Sequence, residues 1–481
     1  MVISTSFPNE TATVGGQSFA TSGTFDVINP ATGLSFAQAP NVTADQLDDV
    51  FEAALFAFSS WRRDDDERRA YLHRAADAIC EATEELARLL TSEQGKPLND
   101  ARREISTSVS WLRYYADLDV PRQVIRDDDE AYEEVFRRPI GVVSAITPWN
   151  FPLTLAMWKI APALRAGNTM VIKPSPYTPL ATLALGRLLR GVLPDGVLNV
   201  VSGLDPLGSG MTLHPIPRKI SFTGSTTVGK LVAAGAAPDL KRLTLELGGN
   251  DPAIVLGDVN VADIADSLFW GGFNNNGQIC VAVKRVYAHA AIHDELVEAL
   301  REIARSTLVG DGMVPGVRLG PVNNRTQFEI VKELAADAVA HGGRILAGGL
   351  PLDREGYFFP PTVVDRVHDG MRLVDEEQFG PVMPIVNFTD EAQIIDMVNR
   401  GPYGLTASVW SADVDHALVL AAQIDSGQVA INRHGRGVLP HLPFSGHRLS
   451  GLGVENGMWG LDSYTELQTI AAPPRNTRNS A

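Results

Sequence analysis

The pattern of apolar and polar positions changes twice along this chain. Between residues 45 and 116, apolar residues recur at helical spacing, which predicts helices over 45–57, 66–91 and 100–116. Residues 122–138 are densely charged and alternate in character, as in an exposed β-ribbon. After residue 139, short apolar runs alternate with helical stretches. The predicted strands are 140–147, 169–173, 198–202 and 219–222, then 253–256, 285–288, 381–388 and 408–410, and further helices are predicted over 158–164 and 180–193.

Strands that alternate with helices predict parallel βαβ units, and therefore an α/β fold. Because a second series of such units follows Glu246, two α/β domains and a ribbon fit the pattern better than one domain does. The first twenty residues are rich in Ser, Thr and Gly, and we expect them to be poorly ordered.

Composition narrows the class of protein. Hydrophobic residues make up 44% of the 481 residues and charged residues 20%, as in globular proteins with large cores. The net charge of −16 argues against nucleic acid or an anionic membrane as a partner, because binding phosphate requires clustered Lys and Arg. No apolar run approaches the ~18 residues of a membrane span, and the first basic residue, Arg62, comes too late for a secretory signal. With only two cysteines, we expect a cytoplasmic protein.

Two residues suggest covalent chemistry on a carbonyl. Cys280 lies in a polar, glycine-rich segment, W-G-G-F-N-N-N-G-Q-I-C-V, and Glu246 stands among apolar residues in L-E-L-G-G-N. The thiolate is the attacking form and a free cysteine has a pKa of about 8.5, so we expect the surroundings of Cys280 to lower that pKa. Burial between leucines should raise the pKa of Glu246 toward the range of a general base. Taken alone, a single cysteine is more often a small core residue.

A candidate phosphate site follows the strand predicted at 219–222. The segment T-G-S-T-T-V-G-K lacks the G-x-G-x-x-G spacing, since Gly224 and Gly229 are five residues apart. A glycine turn before a helix nevertheless presents backbone N–H groups and the positive end of the helix dipole to a phosphate. No metal is expected, because His289 and His293 have no acidic or cysteine cluster beside them.

Eight motifs occur in an order that resembles one family. They are T-P-W-N-F-P (147–152), K-P-S-P-Y-T-P (173–179), F-T-G-S-T-T-V-G (222–229), L-E-L-G-G-N (245–250), G-Q-I-C (277–280), E-E-Q-F-G-P-V (376–382), Y-G-L-T (403–406) and P-F-S-G-H-R-L-S-G-L-G (443–453). From about residue 26 to residue 467 the chain resembles the NAD(P)-dependent aldehyde dehydrogenase superfamily, in its hydrolytic, non-CoA-acylating branch. The resemblance implies a Rossmann-like cofactor-binding domain over 1–121 and 139–245 and a second α/β, catalytic domain over 246–442. It assigns 122–138 and 443–481 to an oligomerisation β-ribbon, the channel mouth and the C-terminal segment.

The resemblance also implies roles for individual residues. Cys280 would be the nucleophile, Glu246 the general base, and Asn150 the oxyanion donor together with the backbone N–H of Cys280. The implied cofactor-binding residues are Trp149, Lys173, Ser175, Pro176, Gly224, Ser225, Gly229, Leu247, Gln327, Glu377 and Phe379. The implied substrate channel is lined by Phe151, Leu155 and Trp158, and Glu455 would help to relay protons.

The chain departs from the family pattern at two positions, and the second bears on the cofactor. Asn250 stands where many relatives have Lys. Pro176 stands where NAD-preferring relatives often have Glu, which can bind the ribose 2′-hydroxyl and repel a 2′-phosphate. No extra Arg or Lys lies nearby to receive a phosphate, so we expect NAD as the cofactor, with NADP also possible.

The substrate is less narrowly implied than the chemistry. Trp158 stands where relatives that act on succinic semialdehyde often have Arg, which favours a small uncharged aliphatic or aromatic aldehyde. Arg433 or Arg436 could meet an anion near the channel mouth, so a semialdehyde dehydrogenase stays an alternative. A CoA-acylating enzyme is a weaker alternative, because that branch generally lacks the base at Glu246. The resemblance implies a homodimer or homotetramer.

Overall fold

The computed structural model describes residues 9–435 and 438–475. The α-helices in this part of the chain are α1 (Leu47–Trp61), α2 (Asp65–Glu81), α3 (Thr83–Gln94), α4 (Leu98–Asp117), α5 (Pro152–Arg165), α6 (Leu180–Leu189), α7 (Leu207–Leu213), α8 (Thr226–Ala236), α9 (Val261–Phe273), α10 (His293–Ser306), α11 (Arg325–Ala340), α12 (Arg372–Asp375), α13 (Glu391–Asn399), α14 (Val414–Ala421) and α15 (Gly457–Asp462). The strands are β1 (Ala12–Val14), β2 (Gln17–Phe19), β3 (Thr24–Asn29), β4 (Leu34–Pro40), β5 (Gln123–Asp127), β6 (Tyr132–Pro139), β7 (Val142–Ile146), β8 (Thr169–Lys173), β9 (Leu198–Val200), β10 (Lys219–Thr223), β11 (Arg242–Glu246), β12 (Pro252–Val255), β13 (Arg285–His289), β14 (Arg344–Ala347), β15 (Thr362–Val367), β16 (Val382–Phe388), β17 (Tyr403–Gly404), β18 (Thr406–Trp410), β19 (Gln428–Ile431), β20 (His447–Arg448), β21 (Gly451–Leu452) and β22 (Thr465–Ala472).

The first large sheet has the strand order β2-β1-β9-β8-β7-β10-β11-β21. Its central strands β9, β8, β7, β10 and β11 run parallel, and the edge strands are antiparallel. Every residue of β8 and β10 is buried, because the sheet is covered on both faces. In consequence the carboxyl ends of β7, β8, β10 and β11 meet along one edge, where a ligand can approach them.

The second large sheet has the strand order β14-β15-β16-β13-β12-β18-β19, and β14 is the antiparallel strand at its edge. Its core is formed by apolar residues of α9, α10 and α11 packed on the two faces. Cys280 comes shortly before β13, and Glu377 and Phe379 come shortly before β16. The candidate site therefore lies between the carboxyl ends of the first sheet and the amino ends of the second.

A third sheet, in the order β22-β6-β5, is antiparallel. Strand β22 pairs with β6 along its whole length, from Thr465 opposite Pro139 to Ala472 opposite Tyr132. The charged ribbon predicted at 122–138 is therefore present as β5 and β6, with the C-terminal strand as a third member. This pairing holds the C-terminal segment to the ribbon of the same chain.

The α/β fold class predicted from the sequence is confirmed, and two details were wrong. Residues 12–19 are not disordered, since β1 and β2 extend the first sheet; residues 1–8 lie outside the described part. The helix predicted over 66–91 is divided at Ala82 into α2 and α3. The division of the chain at residue 246 stays a proposal, with the two large sheets lying on either side of it.

None of the helices in the described part combines the length and hydropathy that a membrane-spanning helix requires.

Candidate active site

Cys280 follows α9 and a short 3-10 turn that has an unusual backbone. Asn275 and Asn276 adopt left-handed conformations, with φ of 49° and 57°. A Cβ at Gly277 would lie 2.4 Å from the carbonyl oxygen of Gly380, so only glycine fits this close approach. The ammonium of Lys284 donates to the carbonyl of Gly277 at 2.6 Å. The loop is thus fixed by close packing and hydrogen bonds, which gives the thiol a defined position.

Cys280 lies on the wall of a pocket of about 480 Å³. The apolar part of the wall consists of Trp111, Phe151, Leu155, Trp158, Ile279, Val281 and Val438. Trp111 and Trp158 are stacked with ring centroids 5.9 Å apart, and Phe444 meets Trp158 edge-on at 5.2 Å. Four residues of the polar part belong to α4 and recur at helical spacing along one face: Asp100, Arg103, Glu104 and Thr107. The other polar lining residues are Lys96, Asn150, Thr154, Asn274 and Asn275. The three predicted channel residues therefore share one pocket with Cys280.

Asn150 lines the same pocket, in the turn between β7 and α5. Its side-chain amide donates one hydrogen bond to the carbonyl of Gln278 at 2.9 Å. An amide nitrogen carries two N–H groups, so the second is free to stabilise a negative oxygen formed at Cys280. The position is compatible with the predicted oxyanion donor.

Glu246 is the last residue of β11 and is 3% exposed. Neither carboxylate oxygen has a hydrogen-bonding partner in the described part of the chain. Burial raises the pKa of Glu246 well above its usual value; the charge of Glu455 adds to the rise, and Lys159 opposes it. This agrees with the sequence-based expectation of a desolvated base.

Glu455 belongs to a buried polar cluster close enough to Glu246 to influence it. One of its oxygens accepts from the ammonium of Lys159 at 2.7 Å and from the hydroxyl of Ser221 at 3.3 Å. The hydroxyl of Tyr464 donates to Ser221 at 3.1 Å. The other oxygen of Glu455 has no hydrogen-bonding partner among the described residues. The relay role that the family resemblance implies for Glu455 stays a prediction.

The electrostatic surroundings of Cys280 do not lower the pKa of its thiol, contrary to the expectation from the sequence. Burial raises the pKa of the thiol to about 12, and the carboxylates of Asp251, Glu377 and Glu246 contribute to the rise. The positive charge of Lys284 lowers the pKa of the thiol, but by less than burial and the carboxylates raise it. The prediction that the protein itself lowers this pKa was wrong, because burial and the charges of three acids distant in sequence act against ionisation of the thiol.

The predicted phosphate-binding residues lie at the N-terminus of α8. Ser225 caps this helix by accepting from the N–H of Val228 at 3.3 Å. A Cβ at Gly229 would lie 2.4 Å from Leu247, so glycine lets the helix approach the strand end closely. Gly224 is partly exposed and Ser225 is exposed. The N–H of Gly224 donates to the carbonyl of Glu246 at 3.0 Å, so the donors offered to a ligand belong to the first turn of α8, at the positive end of its dipole.

Lys173 is the last residue of β8 and is nearly buried. Burial lowers the pKa of its ammonium to about 8. The ammonium donates to the carbonyl of Pro174 at 3.3 Å, and it has three N–H groups to offer. Ser175 and Pro176 follow it at half-buried positions, and the Trp149 carbonyl accepts from the hydroxyl of Thr178. Lys173 therefore retains donors for a polyhydroxy ligand.

The remaining predicted cofactor residues converge from the second sheet. Glu377 accepts from the N–H of Gly249 at 3.1 Å, and burial raises its pKa to about 7. Phe379 has a left-handed backbone, with φ of 42°, and its ring meets Trp149 edge-on at 5.3 Å. Gln327 on α11 donates to the carbonyl of Gln378 at 2.8 Å and so steadies this segment. The carboxylate and the aromatic pair provide a polar and an apolar surface beside Cys280.

Four buried charged residues at the site were not singled out from the sequence. Lys96 and Glu104 form a buried ion pair beside Asn150, and Lys159 and Lys284 lie beneath the two proposed catalytic groups. The sequence signal that could have identified them is a charged residue within an apolar pattern, since Glu104 occupies the buried face of α4 and Lys159 interrupts the apolar run of α5.

Of the two arginines considered for an anion, Arg433 is exposed and Arg436 lies outside the described residues. Among the described residues, no three or more His, Cys, Asp or Glu side chains are grouped to hold a metal ion.

Comparison with known proteins agrees with this geometry. The family described as "Aldehyde dehydrogenase family" matches residues 18–470. The phenylacetaldehyde dehydrogenase of Pseudomonas fluorescens is 37% identical over 95% of this chain and 94% of that protein. The NADP(+) succinate-semialdehyde dehydrogenase of Escherichia coli K12 is 36% identical over 92% of this chain and 93% of that protein. The solved NAD+ complex of an aldehyde dehydrogenase from Bacillus cereus superposes with a TM-score of 0.94 at 34% identity, covering 97% of this chain and 96% of that one.

These similarities, together with a thiol and an isolated carboxylate at the edge of a parallel sheet, define an oxidoreductase with a nicotinamide cofactor. The chain belongs to the aldehyde dehydrogenase family, and it is an NAD(P)-dependent enzyme that oxidises aldehydes.

Proposed function

We propose that this enzyme oxidises an uncharged aldehyde to the carboxylic acid by hydrolysis of a thioester formed on Cys280. The observation that carries the proposal is the shared pocket: Cys280 and the Asn150 donor line one cavity, and Glu246 is a buried carboxylate with both oxygens unpaired within the described residues. A nucleophile, an oxyanion donor and a base are the three groups that acyl transfer to water requires.

In the first step the Cys280 thiol releases its proton to solvent water, and the resulting thiolate bonds to the aldehyde carbon. The carbonyl oxygen becomes negative, and the free N–H of Asn150 with the N–H of Cys280 stabilises it. Loss of one such donor typically reduces the rate about a hundred- to a thousandfold. A bound nicotinamide supplies the hydride acceptor that no side chain provides.

In the second half the thioester on Cys280 is hydrolysed. The unpaired Glu246 oxygens can accept a hydrogen bond from water and then its proton, which produces the attacking hydroxide. Because burial raises the pKa of Glu246, this carboxylate holds a proton more firmly than an exposed one would. The cluster of Glu455, Lys159 and Ser221 offers a route by which that proton is passed on.

The residues present fit a dinucleotide. Lys173 would bind the adenosine ribose, the N-terminus of α8 from Gly224 to Gly229 would face the pyrophosphate, and Glu377 would hold the nicotinamide ribose. The fit is supported by the exposed helix N-terminus, the spare donors of Lys173 and the burial of the Glu377 carboxylate between Gly249 and Lys284. We infer that NAD is preferred and that NADP is also used, because Pro176 carries no charge to repel a 2′-phosphate.

The pocket favours an uncharged substrate over a semialdehyde. Its wall is mostly apolar, with two tryptophans and Phe151 in contact range of a bound chain or ring. The two cations that line it, Lys96 and Arg103, are already ion-paired with Glu104 and Asp100. A substrate carboxylate would have to displace Glu104 to reach Lys96, whereas Arg103, with a side chain 74% exposed, offers only a solvent-screened charge. The relatives include both a phenylacetaldehyde dehydrogenase and a succinate-semialdehyde dehydrogenase, and the apolar wall of the pocket supports the uncharged substrate.

Two further expectations concern assembly and location. We infer a homodimer or homotetramer joined through the sheet of β5, β6 and β22. We also infer a cytoplasmic enzyme, because a catalytic thiol must stay reduced and both cysteines are unpaired.

An assay of NADH formation tests the proposal. We expect hexanal, benzaldehyde and phenylacetaldehyde to be oxidised with higher kcat/KM than succinic semialdehyde, equally with and without CoA. Cys280→Ser should abolish turnover, whereas Cys80→Ser, at an exposed position on α2, should not. Turnover only in the presence of CoA would contradict hydrolysis, and activity retained in Cys280→Ser would contradict the nucleophile.

A further inference from the structure

The turn that carries Asn150 has no secondary structure of its own. It lies between the end of β7 at Ile146 and the start of α5 at Pro152. Neither a strand ladder nor a helical bond fixes Asn150, yet the proposed oxyanion donor must be held to within a fraction of an ångström. Other side chains must therefore position it.

Lys96 makes direct contact with this turn. Its ammonium donates to the main-chain carbonyl of Asn150 at 2.9 Å and lies 3.8 Å from the ring centroid of Phe151. Asn275 provides a second donor to the same carbonyl, at 3.1 Å. The Lys96 side chain is 1% exposed, so these contacts form without competition from water.

Glu104 holds the other side of the same turn. Its carboxylate is ion-paired with Lys96 and fully buried. It also accepts from the N–H groups of Leu153 at 2.9 Å and Thr154 at 3.3 Å, which are among the first amides of α5. The N-cap residue of α5 forms no side-chain cap of its own, so Glu104 satisfies amides that would otherwise be unpaired. The ion pair thus connects the carbonyl of Asn150, which precedes α5, to the N–H groups of Leu153 and Thr154 in the first turn of α5.

We propose that Lys96, paired with Glu104, is a positioning residue that fixes the Asn150 side chain for stabilisation of the oxyanion. This inference rests on the proposed function. Lys96 acts through Asn150 and through the turn that carries it. The residue before Lys96 is Gly95, which has a φ of 98° and approaches Pro321 so closely that an added Cβ would lie 2.8 Å from it. This close packing restricts the backbone next to Lys96.

The primary test is the variant Lys96→Met in a double-mutant cycle with Asn150→Ala. The measured quantity is the rate constant of the pre-steady-state NADH burst, which reports formation of the thioester. Displacing a catalytic group by about 1 Å can cost about a hundredfold in rate. We expect Lys96→Met to slow the burst by about ten- to a hundredfold while the Kd for NAD changes less than about twofold. In the Asn150→Ala background the same change should cost less than about threefold, because residues that act as a unit are not additive.

A matched control separates positioning from stability. Lys241 is another lysine with a side chain 1% exposed, and its ammonium donates to the carbonyls of Thr212 at 2.8 Å and His214 at 2.5 Å. We expect Lys241→Met to lower the melting temperature but to leave the burst rate within about twofold of the wild type. If Lys96→Met reduces the yield of folded protein because Glu104 loses its partner, the cycle is run with Lys96→Met/Glu104→Gln, which removes both charges.

Each failure has a distinct meaning. Three results would overturn the positioning role. The first is a normal burst rate in Lys96→Met. The second is that Lys96→Met slows the burst by the same factor in the wild type and in Asn150→Ala, and the third is that Lys241→Met slows it as much as Lys96→Met does. An Asn150→Ala variant with a normal burst, or a wild-type enzyme that forms no NADH with any of the aldehydes, would instead contradict the proposed function. If hydride transfer limits turnover in the wild type, no burst appears, and the steady-state kcat then reports the same step.

Discussion

A buried carboxylate without a hydrogen-bonding partner is costly, and Glu246 has two such oxygens among the described residues. A purely structural acid at this position would be expected to find partners. The unpaired oxygens suggest that the partner of Glu246 is a water molecule or a proton that arrives during the reaction. Its raised pKa has the same origin, since burial disfavours the charged form.

Glu246→Gln should stall hydrolysis more than thioester formation, because a neutral amide cannot take a proton from water. We expect a burst of NADH followed by turnover slower by about a hundredfold to ten-thousandfold, the usual contribution of a general base. In the wild type, hydrolysis should become faster as the pH rises through the raised pKa of Glu246, and the variant should lose that dependence. Stopped-flow absorbance at several pH values measures both. Loss of the burst with unchanged NAD binding would mean that Glu246 acts earlier, in activating Cys280.

Cys280 should react slowly with alkylating agents in the absence of cofactor. Its pKa is raised to about 12, so the reactive thiolate is a minor species at neutral pH, and the rate should rise about tenfold per pH unit from pH 7 to 10. Iodoacetamide inactivation, measured in a Cys80→Ser background, tests this. Asp251→Asn removes one of the acids that raise the pKa and should speed alkylation above pH 8. A plateau of the rate below pH 9 would contradict the raised pKa.

Pro176 offers the sharpest residue-level test of cofactor choice. Pro176→Glu places a negative charge beside the proposed ribose site, and two like charges about 4 Å apart repel by at most about 4 kcal/mol at an effective dielectric of about 20. We expect kcat/KM with NADP to fall tenfold or more while that with NAD changes little. Tyr177→Glu, with the same charge one residue further along at an exposed position, is the control. An unchanged NAD to NADP ratio in Pro176→Glu would mean that this position does not contact the ribose.

At the scale of residues, the sequence predicts the reacting side chains more successfully than it predicts the side chains that hold them in place. Cys280 and Glu246 are recognisable because a motif surrounds each of them. Lys96 and Glu104 act through contacts with main-chain groups some fifty residues away in sequence, between Lys96 and Asn150 and between Glu104 and Leu153. No local pattern reports such contacts, and the same holds for the three acids around Cys280.

At the scale of elements, the strands with both faces covered were the easiest to predict. The strand predicted at 169–173 coincides with β8, and that predicted at 219–222 falls within β10, because fully buried parallel strands are continuous apolar runs. The strands β3, β4, β11 and β15 were missed although they have five to seven residues. The short strands β1, β2 and β19 were missed as well. Each has three or four residues, and pairing with a neighbour, rather than a pattern of its own, makes it a strand. The break at Ala82 was missed because apolar spacing continues through it.

The N-terminus of α8 gives a prediction at this scale. Ser225→Ala removes the cap on the N–H of Val228, which should lower the free energy of unfolding by about 0.5 to 2 kcal/mol. Because the same end of α8 is proposed to face the pyrophosphate, we also expect the Kd for NAD to increase several-fold. Asp390→Ala removes a comparable cap from α13, far from the proposed cofactor site, and should affect stability alone. Urea unfolding and calorimetric titration measure the two effects, and equal Kd values in both variants would contradict the assignment of α8.

At the scale of the molecule, the site exists because two sheets meet end to end. The carboxyl ends of β7, β8, β10 and β11 supply Asn150, Lys173, Ser225 and Glu246, whereas the loops before β13 and β16 supply Cys280 and Glu377. Neither sheet contains the full set of reacting groups. Alternation of strands and helices predicts the two sheets, but their relative placement depends on contacts between residues distant in sequence, such as the bond from Gly249 to Glu377.

The last prediction concerns the third sheet, whose outer strands β5 and β22 each expose two large apolar side chains. Val124, Ile125, Leu467 and Ile470 are all exposed, and Leu467 is 72% exposed. Unpaired strand edges with apolar side chains invite association, and a small sheet is marginal unless it packs on a partner. We expect Leu467→Arg to shift the protein toward smaller species in light scattering at micromolar concentration. Leu34→Arg, at a position 66% exposed on β4, should leave the assembly intact. A stable, fully active wild-type monomer under the same conditions would contradict association through this sheet.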